Sequence, residues 1–588
     1  MTTPTSDVLR RLLPGRRSAL ALAAATTAMT VLPLASPQIT RRFVDDAIGG
    51  AGTRHLVSVA CGYLALAVAG QGARLLTAWL AGLLAWDGTN RLRERLAGHA
   101  LGLDMAFHGR RTPGEMIERV DGDVVAVADF VVAFVLDVVA GVLLLAGVLV
   151  VVLVTDLRVG GVLLAYCVLT GYGMARAQRL AVPSSARARQ ASAAVFGAVE
   201  ERLAGVEDIR ANGAGEHAVN RFHHVSGEMY RAELRADRVR SGLLAGTTVA
   251  FAAGTALVLG LAAWSRQSGT LTVGTAVLLF QYTQMVRAPL ERLIDQLKQY
   301  QTALAGVARV GDLLAERRTL PEPARPRPLP ATGPLGLRLD RVTFAYDDET
   351  ARDGKTAPDG TTVLSDVTVA LAPGETLGLV GRTGSGKTTI ARLVLRLYDP
   401  VEGGVQVGGL DLREVDPASV RRRICAVTQD VQLFAASVRD NLTLFRPLAD
   451  DQRLAAVLTD VGLGDWLAAL PDGLDTQLGG RAAGVSAGEA QLLAFARAFL
   501  ADPGLVVLDE ASSRLDPATE RRVERSVGRL LAGRTGVIIA HRLSSLSRVD
   551  KVAVMDGGVI VEYGRREDLA ADPGSRFARL LEAAGVPR

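Results

Sequence analysis

Apolar residues crowd the first half of the chain and thin out sharply after residue 290. Between residues 18 and 290 they form runs near 18–39, 56–85, 129–154, 159–181, 242–264 and 271–290. A helix needs about 20 apolar residues to cross a ~30 Å hydrocarbon core, so this pattern predicts six membrane-spanning helices. The last two runs are the most polar. Thr247 and Thr248 interrupt one, and the Gln281–Gln284 stretch makes the other amphipathic, as suits helices lining a bundle interior or a polar path. The first run follows Arg16 and Arg17. It is longer than the roughly 7–15 residues of a secretory signal core and five more runs follow it, so it reads as a span, with a cleaved signal peptide as the alternative.

Arginine marks the polar segments between these runs. Arg10, Arg11, Arg16 and Arg17 flank the start, and Arg91, Arg93, Arg95, Arg110 and Arg111 follow the second span. Basic residues concentrate on the cytoplasmic side, which predicts a cytoplasmic N-terminus in a multi-pass inner or plasma membrane protein. The short loops at Asp45–Arg54, Thr155–Arg158 and Ser265–Thr272 then face outward. The long segments near 87–128 and 182–240 are charged and rich in helix formers, and they read as cytoplasmic extensions of the membrane helices. A polar helical stretch runs from Glu291 to about Arg317, and six of the 23 prolines lie between Pro321 and Pro334. Such density excludes helix and central strand and predicts a semi-rigid spacer. The expected organisation is multidomain: an all-α six-helix transmembrane domain over 1–317, a proline-rich linker over 318–335, and an α/β domain over 336–588.

Composition narrows the function classes. A mean hydropathy of +0.24 with only 5% aromatics means that the apolar content is aliphatic and concentrated. The balance of 66 basic against 61 acidic residues lacks the basic footprint of a nucleic-acid binder, so no nucleic-acid partner is expected. Cys61, Cys167 and Cys425 stand far apart without a paired spacing, which implies neither a disulfide framework nor a zinc site. Two charges, Arg74 and Asp137, fall within apolar runs. A charge in hydrocarbon is costly and marks a functional-site candidate, the alternative being a paired or snorkelling position near the inner leaflet. Lysine is used only at Lys298, Lys355, Lys387 and Lys551, and Lys387 stands inside a glycine-rich loop.

That loop is Gly381-Arg382-Thr383-Gly384-Ser385-Gly386-Lys387-Thr388-Thr389, preceded by the apolar run Thr376–Val380. It matches G-x-x-x-x-G-K-[ST] in a strand–loop–helix setting. Glycines let backbone N–H groups ring the phosphates of ATP, and the following helix adds its positive dipole end. Lys387 is placed to reach the β- and γ-phosphates, and Thr388 to hold Mg²⁺. About 120 residues on, Leu505–Glu510 reads as an apolar strand ending in two carboxylates. Asp509 suits magnesium, because a strand end lies beside the phosphate loop in a doubly wound sheet. Glu510 is the candidate base that orients water.

Between them Gly484-Val485-Ser486-Ala487-Gly488-Glu489-Ala490-Gln491 opens a helical run. With these three motifs in this order the chain resembles the ATP-binding cassette (ABC) superfamily, whose signature is Leu-Ser-Gly-Gly-Gln. Six spans followed by one cassette resemble an exporter-type half-transporter. The resemblance implies a P-loop nucleotide-binding domain with a helical subdomain. It further implies that Tyr346 stacks on adenine, that Gln429 senses magnesium and the attacking water, that Asp516 lies at a dimer seam, and that His541 holds the γ-phosphate. Ser486 and Gly488 at a helix start would cap ATP bound by a partner cassette, which makes the working unit a pair of half-transporters, alike or similar, in membrane lipid. The implied activity is ATP-driven export of a small molecule, lipid or peptide. Import of metal chelates and a membrane-anchored regulatory ATPase are the rival readings. The segments Phe107–Gly114 and Gly205–Asn212 resemble the family's two coupling segments. Several positions depart from the family: Val485, Ala487, Glu489 and Ala490 in the signature, Gly480 where a glutamate is usual, and a longer loop over Asp347–Thr362.

Overall fold

The computed structural model describes residues 15–267, 272–346, 362–447, 449–478, 484–509, 517–540 and 543–585. The chain forms two compact units: one of residues up to Gly102 together with Pro113–Glu316, the other of Leu103–Thr112 together with residues from Arg317 onward.

The first unit is helical. Its long elements are α1 (Arg16–Ile48), α2 (Thr53–Gly102), and, beyond the short helix α3 (Met105–Gly109) of the second unit, α4 (Pro113–Thr155), α5 (Leu157–Ala204), α7 (Gly215–Gln267) and α8 (Val273–Ala315). The short α6 (Val206–Ala211) turns the chain between α5 and α7. With 50, 48 and 53 residues, α2, α5 and α7 run about 75 Å at ~1.5 Å per residue, far more than a bilayer needs. Each therefore carries an apolar span and a polar extension in one continuous helix. Among the described residues, five helices are long and apolar enough to cross a membrane: α1, α2, α4, α5 and α7. The sixth apolar run opens α8, whose polar residues keep it below that level.

Side chains at helix ends explain where several helices begin. Asp156 Oδ1 accepts the N–H groups of Arg158 at 2.8 Å and Val159 at 3.1 Å, which starts α5; a carboxylate there satisfies orphan donors. Thr272 caps α8 through the Thr275 N–H, and Asp45 at the end of α1 reaches over to accept from the Gly274 N–H at 2.9 Å. The bundle core joins Val148 and Val152 of α4, Val159 and Leu163 of α5, Val258 of α7, and Leu278, Tyr282 and Val286 of α8. Tyr282 is fully buried, and its hydroxyl donates to the Leu34 carbonyl of α1 at 2.7 Å, so the first span is part of the packed bundle. Asp123, 2% exposed, is held by Arg309, whose Nε donates to it at 2.9 Å. Helix α4 departs from α geometry in two π segments, Glu118–Gly122 and Phe134–Val139.

The second unit is built on two larger sheets and a two-stranded antiparallel ribbon of β7 (Ala436–Ser437) and β8 (Gln477–Leu478). Strands β1 (Leu337–Phe344), β2 (Leu364–Leu371), β4 (Glu402–Val407) and β5 (Leu410–Asp411) form an antiparallel sheet in the order β2-β1-β4-β5. Strands β3 (Thr376–Gly381), β6 (Ile424–Val427), β9 (Leu505–Asp509), β10 (Thr535–Ile539), β11 (Lys551–Asp556) and β12 (Val559–Arg565) form the second, in the order β12-β11-β3-β10-β9-β6. All its pairings are parallel except that of β11 with β12. Strand β9 is buried at four of its five positions, as expected of a near-continuous apolar run covered on both faces. One core lies between the two sheets and includes Ile390, Leu393 and Val394 of the helix that follows the glycine-rich loop. The other joins the parallel sheet to the helices inserted between β6 and β9, through residues such as Leu442, Leu454, Leu458 and Leu492. That insertion is the helical subdomain.

The proline-rich stretch, expected as a spacer, is laid along this second unit. Several of its backbone groups are bonded there: the Arg327 N–H to the Glu414 carbonyl at 3.0 Å, the Leu329 N–H to Ser419 Oγ at 2.9 Å, and the Pro330 carbonyl to Arg423 Nε at 2.8 Å. Leu329 and Leu335 are buried. Proline density excludes helix here, but these two leucines supply the apolar anchors that bind the stretch to the cassette.

Candidate functional site

Strand β3 ends at Gly381, and the helix α9 (Lys387–Val394) starts six residues later. The turn between them requires glycine on steric grounds. Gly386 has φ +99°, and a Cβ there would fall 2.5 Å from the Leu364 side chain; at Gly381 it would meet the Met555 carbonyl oxygen at 2.4 Å. The loop therefore wraps tightly, with bare backbone facing inward. Lys387 is 5% exposed, and its ammonium donates to the carbonyls of Gly381 at 2.7 Å and Arg382 at 2.9 Å. Ser385 is 4% exposed, and its hydroxyl has no hydrogen-bond partner among the described residues. An orphaned buried hydroxyl costs ~1–3 kcal/mol unless something accepts from it or donates to it. A phosphate oxygen in the cradle is such a partner, so the loop fits the group the sequence implies.

Thr388 and Asp509 come from positions 121 residues apart, and Thr388 Oγ1 donates to Asp509 Oδ2 at 3.4 Å. The sheet dictates this meeting. Strand β10 lies between β3 and β9, with Ile539 opposite both Leu379 and Asp509, so the C-terminal ends of β3 and β9 open on the same edge. Ligands of open parallel sheets bind at that edge. On the far side of β9, Val427 pairs with Leu508; Gln429 follows two residues later and is exposed. A hydroxyl and a carboxylate at one spot form a hard oxygen pair that suits Mg²⁺.

Tyr346 follows β1 and reaches the same helix. Its hydroxyl lies 3.2 Å from Thr389 Oγ1 and accepts from Arg392 at 2.9 Å. The ring packs edge-on against Phe344 and Tyr398, at centroid distances of 4.8 and 5.3 Å. Tyr398 and Arg392 were invisible as site residues in the sequence, where nothing distinguishes them from ordinary helix and turn positions.

Ser486 caps the helix α10 (Ala487–Ala501), and Gly488 lies buried in its first turn. Glu489, which stands where the signature has glutamine, closes a capping box: its carboxylate accepts the Ser486 N–H at 2.7 Å while its own N–H bonds to Ser486 Oγ at 3.2 Å. The spacing Ser-x-x-Glu was a legible signal for this. Glu510, Asp516 and His541 lie outside the described residues, as do Gly480 and most of the Asp347–Thr362 loop. Strand β9 ends at Asp509, immediately before Glu510, and β10 is followed by Ala540, immediately before His541.

Of the two segments expected as coupling elements, the first, Phe107–Gly114, begins in α3 of the second unit and ends with Pro113 and Gly114 at the start of α4 in the first. Asp104 caps α3 and ties it to the chain after α8: its carboxylate accepts from the Thr319 N–H, from Thr319 Oγ1 at 2.8 Å and from the Leu320 N–H at 3.2 Å. Partial burial pushes the Asp104 pKa up, but these bonds outweigh it and hold it below the ordinary value of 3.8. Tyr398 adds a hydrogen bond to the Met105 carbonyl at 3.2 Å. The second segment forms α6, with no buried residue, in the membrane unit.

Residues 20–290 match the family described as ABC transporter transmembrane region, and residues 364–513 match the family described as ABC transporter. The chain belongs to the ABC transporter superfamily. It is 32% identical to the multidrug efflux ATP-binding/permease protein of Mycobacterium tuberculosis (strain ATCC 25618 / H37Rv), over 99% of this chain and 48% of that protein. It is 35% identical to the ATP-dependent lipid A-core flippase of Thiobacillus denitrificans over 65% of this chain and 64% of that one. Its fold is that of a bacterial Atm1-family ABC exporter solved with ATP bound, with a TM-score of 0.77, 24% identity, and coverage of 97% of this chain and 98% of that one. This ABC transporter is thus a membrane half-transporter of the exporter fold with an ATP-binding cassette.

Proposed function

We propose that the chain is an ATP-hydrolysing exporter that works as a pair of half-transporters, with the N-terminus and the cassette in the cytoplasm. The observation that carries the ATPase reading is the meeting of Thr388 and Asp509 at the strand ends beside the glycine cradle. Gly381, Arg382, Thr383, Gly384, Ser385, Gly386, Lys387 and Thr389 hold the phosphates, and Tyr346 takes the adenine side. Thr388, Asp509 and Gln429 hold magnesium; bound there, Mg²⁺ neutralises charge on the phosphates. Glu510 orients the attacking water, and His541 steadies the γ-phosphate. Ser486, Gly488 and Asp516 complete the site of the partner cassette. That the multidrug efflux relative is about twice as long as this chain, which covers 48% of it, supports two such halves in one working unit. The efflux named in that relative supports outward transport, and nothing favours metal-chelate import or a purely regulatory role. For the organisation of the chain we keep a membrane domain over 1–317, a linker over 318–335 and a cassette over 336–588.

The test uses the full chain in nanodiscs. Glu510→Gln keeps size and hydrogen bonding but removes the charge, so hydrolysis should fall by the ~10²–10⁴-fold typical of general acid–base catalysis while ATP affinity stays within a few fold. Lys387→Ala should lose binding and hydrolysis together. Near-normal turnover in Glu510→Gln refutes the base assignment. A failure of ATP to shift Glu510→Gln toward a two-chain species in native mass spectra refutes the paired site.

A further inference from the structure

We infer that an intramembrane cavity of the helical unit binds an amphiphile whose head is a single phosphate or carboxylate. The inference rests on the transport reading and names the chemistry of the cargo. The cavity, of about 620 Å³, is walled by α1, α2, α4 and α8, within the ~300–1,000 Å³ usual for small-molecule sites. Most of its wall is aliphatic, as with Leu66, Leu136 and Leu144, and no aromatic side chain is among the described lining residues. Three charges break this surface: Arg74, Asp137 and Arg292.

The charges do not cancel. Asp137 accepts from Arg292 Nη1 at 3.4 Å and from Gln296 Nε2 at 3.2 Å, so one carboxylate is served by two donors of α8. Among the described residues Arg74 has no carboxylate partner, which leaves the cavity with a net charge of about +1. An unpaired arginine within an apolar run is costly, and an anionic head group offsets that cost. A quaternary or primary amine would meet excess positive charge and no aromatic cage.

The wall also departs from regular helix where the charges cluster. Asp137 sits in the π segment Phe134–Val139, and Pro33 and Pro289 interrupt the ladders of α1 and α8. Such irregular turns are frequent at functional sites and are tolerated in membranes where they line a cavity.

The experiment measures equilibrium binding of radiolabelled dodecyl phosphate, dodecanoate and dodecyltrimethylammonium to the full chain in phosphatidylcholine nanodiscs without nucleotide. ATP hydrolysis is followed in parallel. Dodecyl phosphate or dodecanoate should bind at least tenfold more tightly than the cation, and the stronger of the two names the head group. Inorganic phosphate should compete at least a hundredfold more weakly, because it lacks the apolar body. Arg74→Gln and Arg292→Gln should each weaken anion binding about tenfold, whereas Asp137→Asn should tighten it severalfold by freeing Arg292. The opposite signs separate a charge effect from misfolding. Equal binding of anion and cation, or weaker anion binding in Asp137→Asn, overturns the cavity assignment while hydrolysis persists; loss of hydrolysis in the unsubstituted chain would instead overturn the transport reading.

Discussion

Replacing Asp104 by alanine should loosen the strap that joins α3 to the chain after α8, without touching the nucleotide site. The carboxylate accepts three bonds from Thr319 and Leu320 and a fourth from the Phe107 N–H at 3.3 Å. Hydrogen bonds to a charged acceptor are worth ~1.5–3 kcal/mol each when protected from water, and an N-cap about 1 kcal/mol. This site is only partly buried, so solvent replaces much of each bond, and the whole cluster is worth about 2–3 kcal/mol. At 1.4 kcal/mol per tenfold change, that raises the local opening constant roughly 30- to 140-fold. Hydrogen–deuterium exchange of the full chain in detergent reads it directly: the amides of Thr319, Leu320 and Phe107 should exchange faster by that factor in Asp104→Ala, and by less in Asp104→Asn, which keeps a cap. The sign with pH follows from the lowered pKa of the group. Its contribution is fully present above the unfolded value of 3.8 and is lost as pH falls through the lower folded value. Below about pH 4 the unsubstituted protein should therefore approach the variant. Identical exchange in both proteins at pH 7 would show that the carboxylate does not hold the strap.

Three further perturbations test other parts of the structure. Arg423, 9% exposed, bonds to the carbonyls of Pro330 and Asp502 at 2.8 and 3.1 Å; Arg423→Met leaves them unpaired and should lower the cassette's Tm by about 5–10 °C in calorimetry, for a loss of ~2–3 kcal/mol. Glu489→Gln keeps a capping side chain but removes a negative charge from the helix start proposed to cap ATP, so KM for ATP should fall severalfold with little change in melting; an unchanged KM refutes a role for that charge. In a chain with Cys61, Cys167 and Cys425 replaced, Arg54→Cys should react with an impermeant maleimide on intact cells and Glu207→Cys should not, the reverse pattern inverting the topology. In the unsubstituted protein, burial raises the Cys425 thiol to about 11, so it should stay unlabelled at pH 7.5 until the cassette unfolds.

The helices and the phosphate loop were legible because their determinants are local. An apolar run of sufficient length has few alternatives to a buried or membrane helix, and Gly381 and Gly386 sit where a Cβ has no room. The Thr388–Asp509 meeting was legible one step further, since a parallel sheet brings strand ends to one edge. What escaped the sequence depends on distant partners. Asp104 and Thr319 lie 215 positions apart, and neither carries a pattern that foretells the other. The proline run shows what it cannot become, not which surface Leu329 and Leu335 will find. The π segments of α4 were hidden for another reason: Phe134–Val139 keeps the composition of ordinary helix, and the extra residue per turn leaves no mark on periodicity over so short a span.

The second unit enters the chain twice, once at Leu103–Thr112 and again from Arg317, and this limits how such proteins can be recombined. Within it, Tyr398 holds the Met105 carbonyl and Asp104 holds Thr319. A chimera that grafts another transporter's cassette after residue 317 would keep the native ten-residue insert while replacing the tyrosine that grips it. The graft would be covalently intact and mechanically mismatched. Successful exchange should require moving residues 103–112 together with the cassette, so the transferable module is a discontinuous one, and drift in the insert is tied to drift around Tyr398 rather than to the helices that flank it.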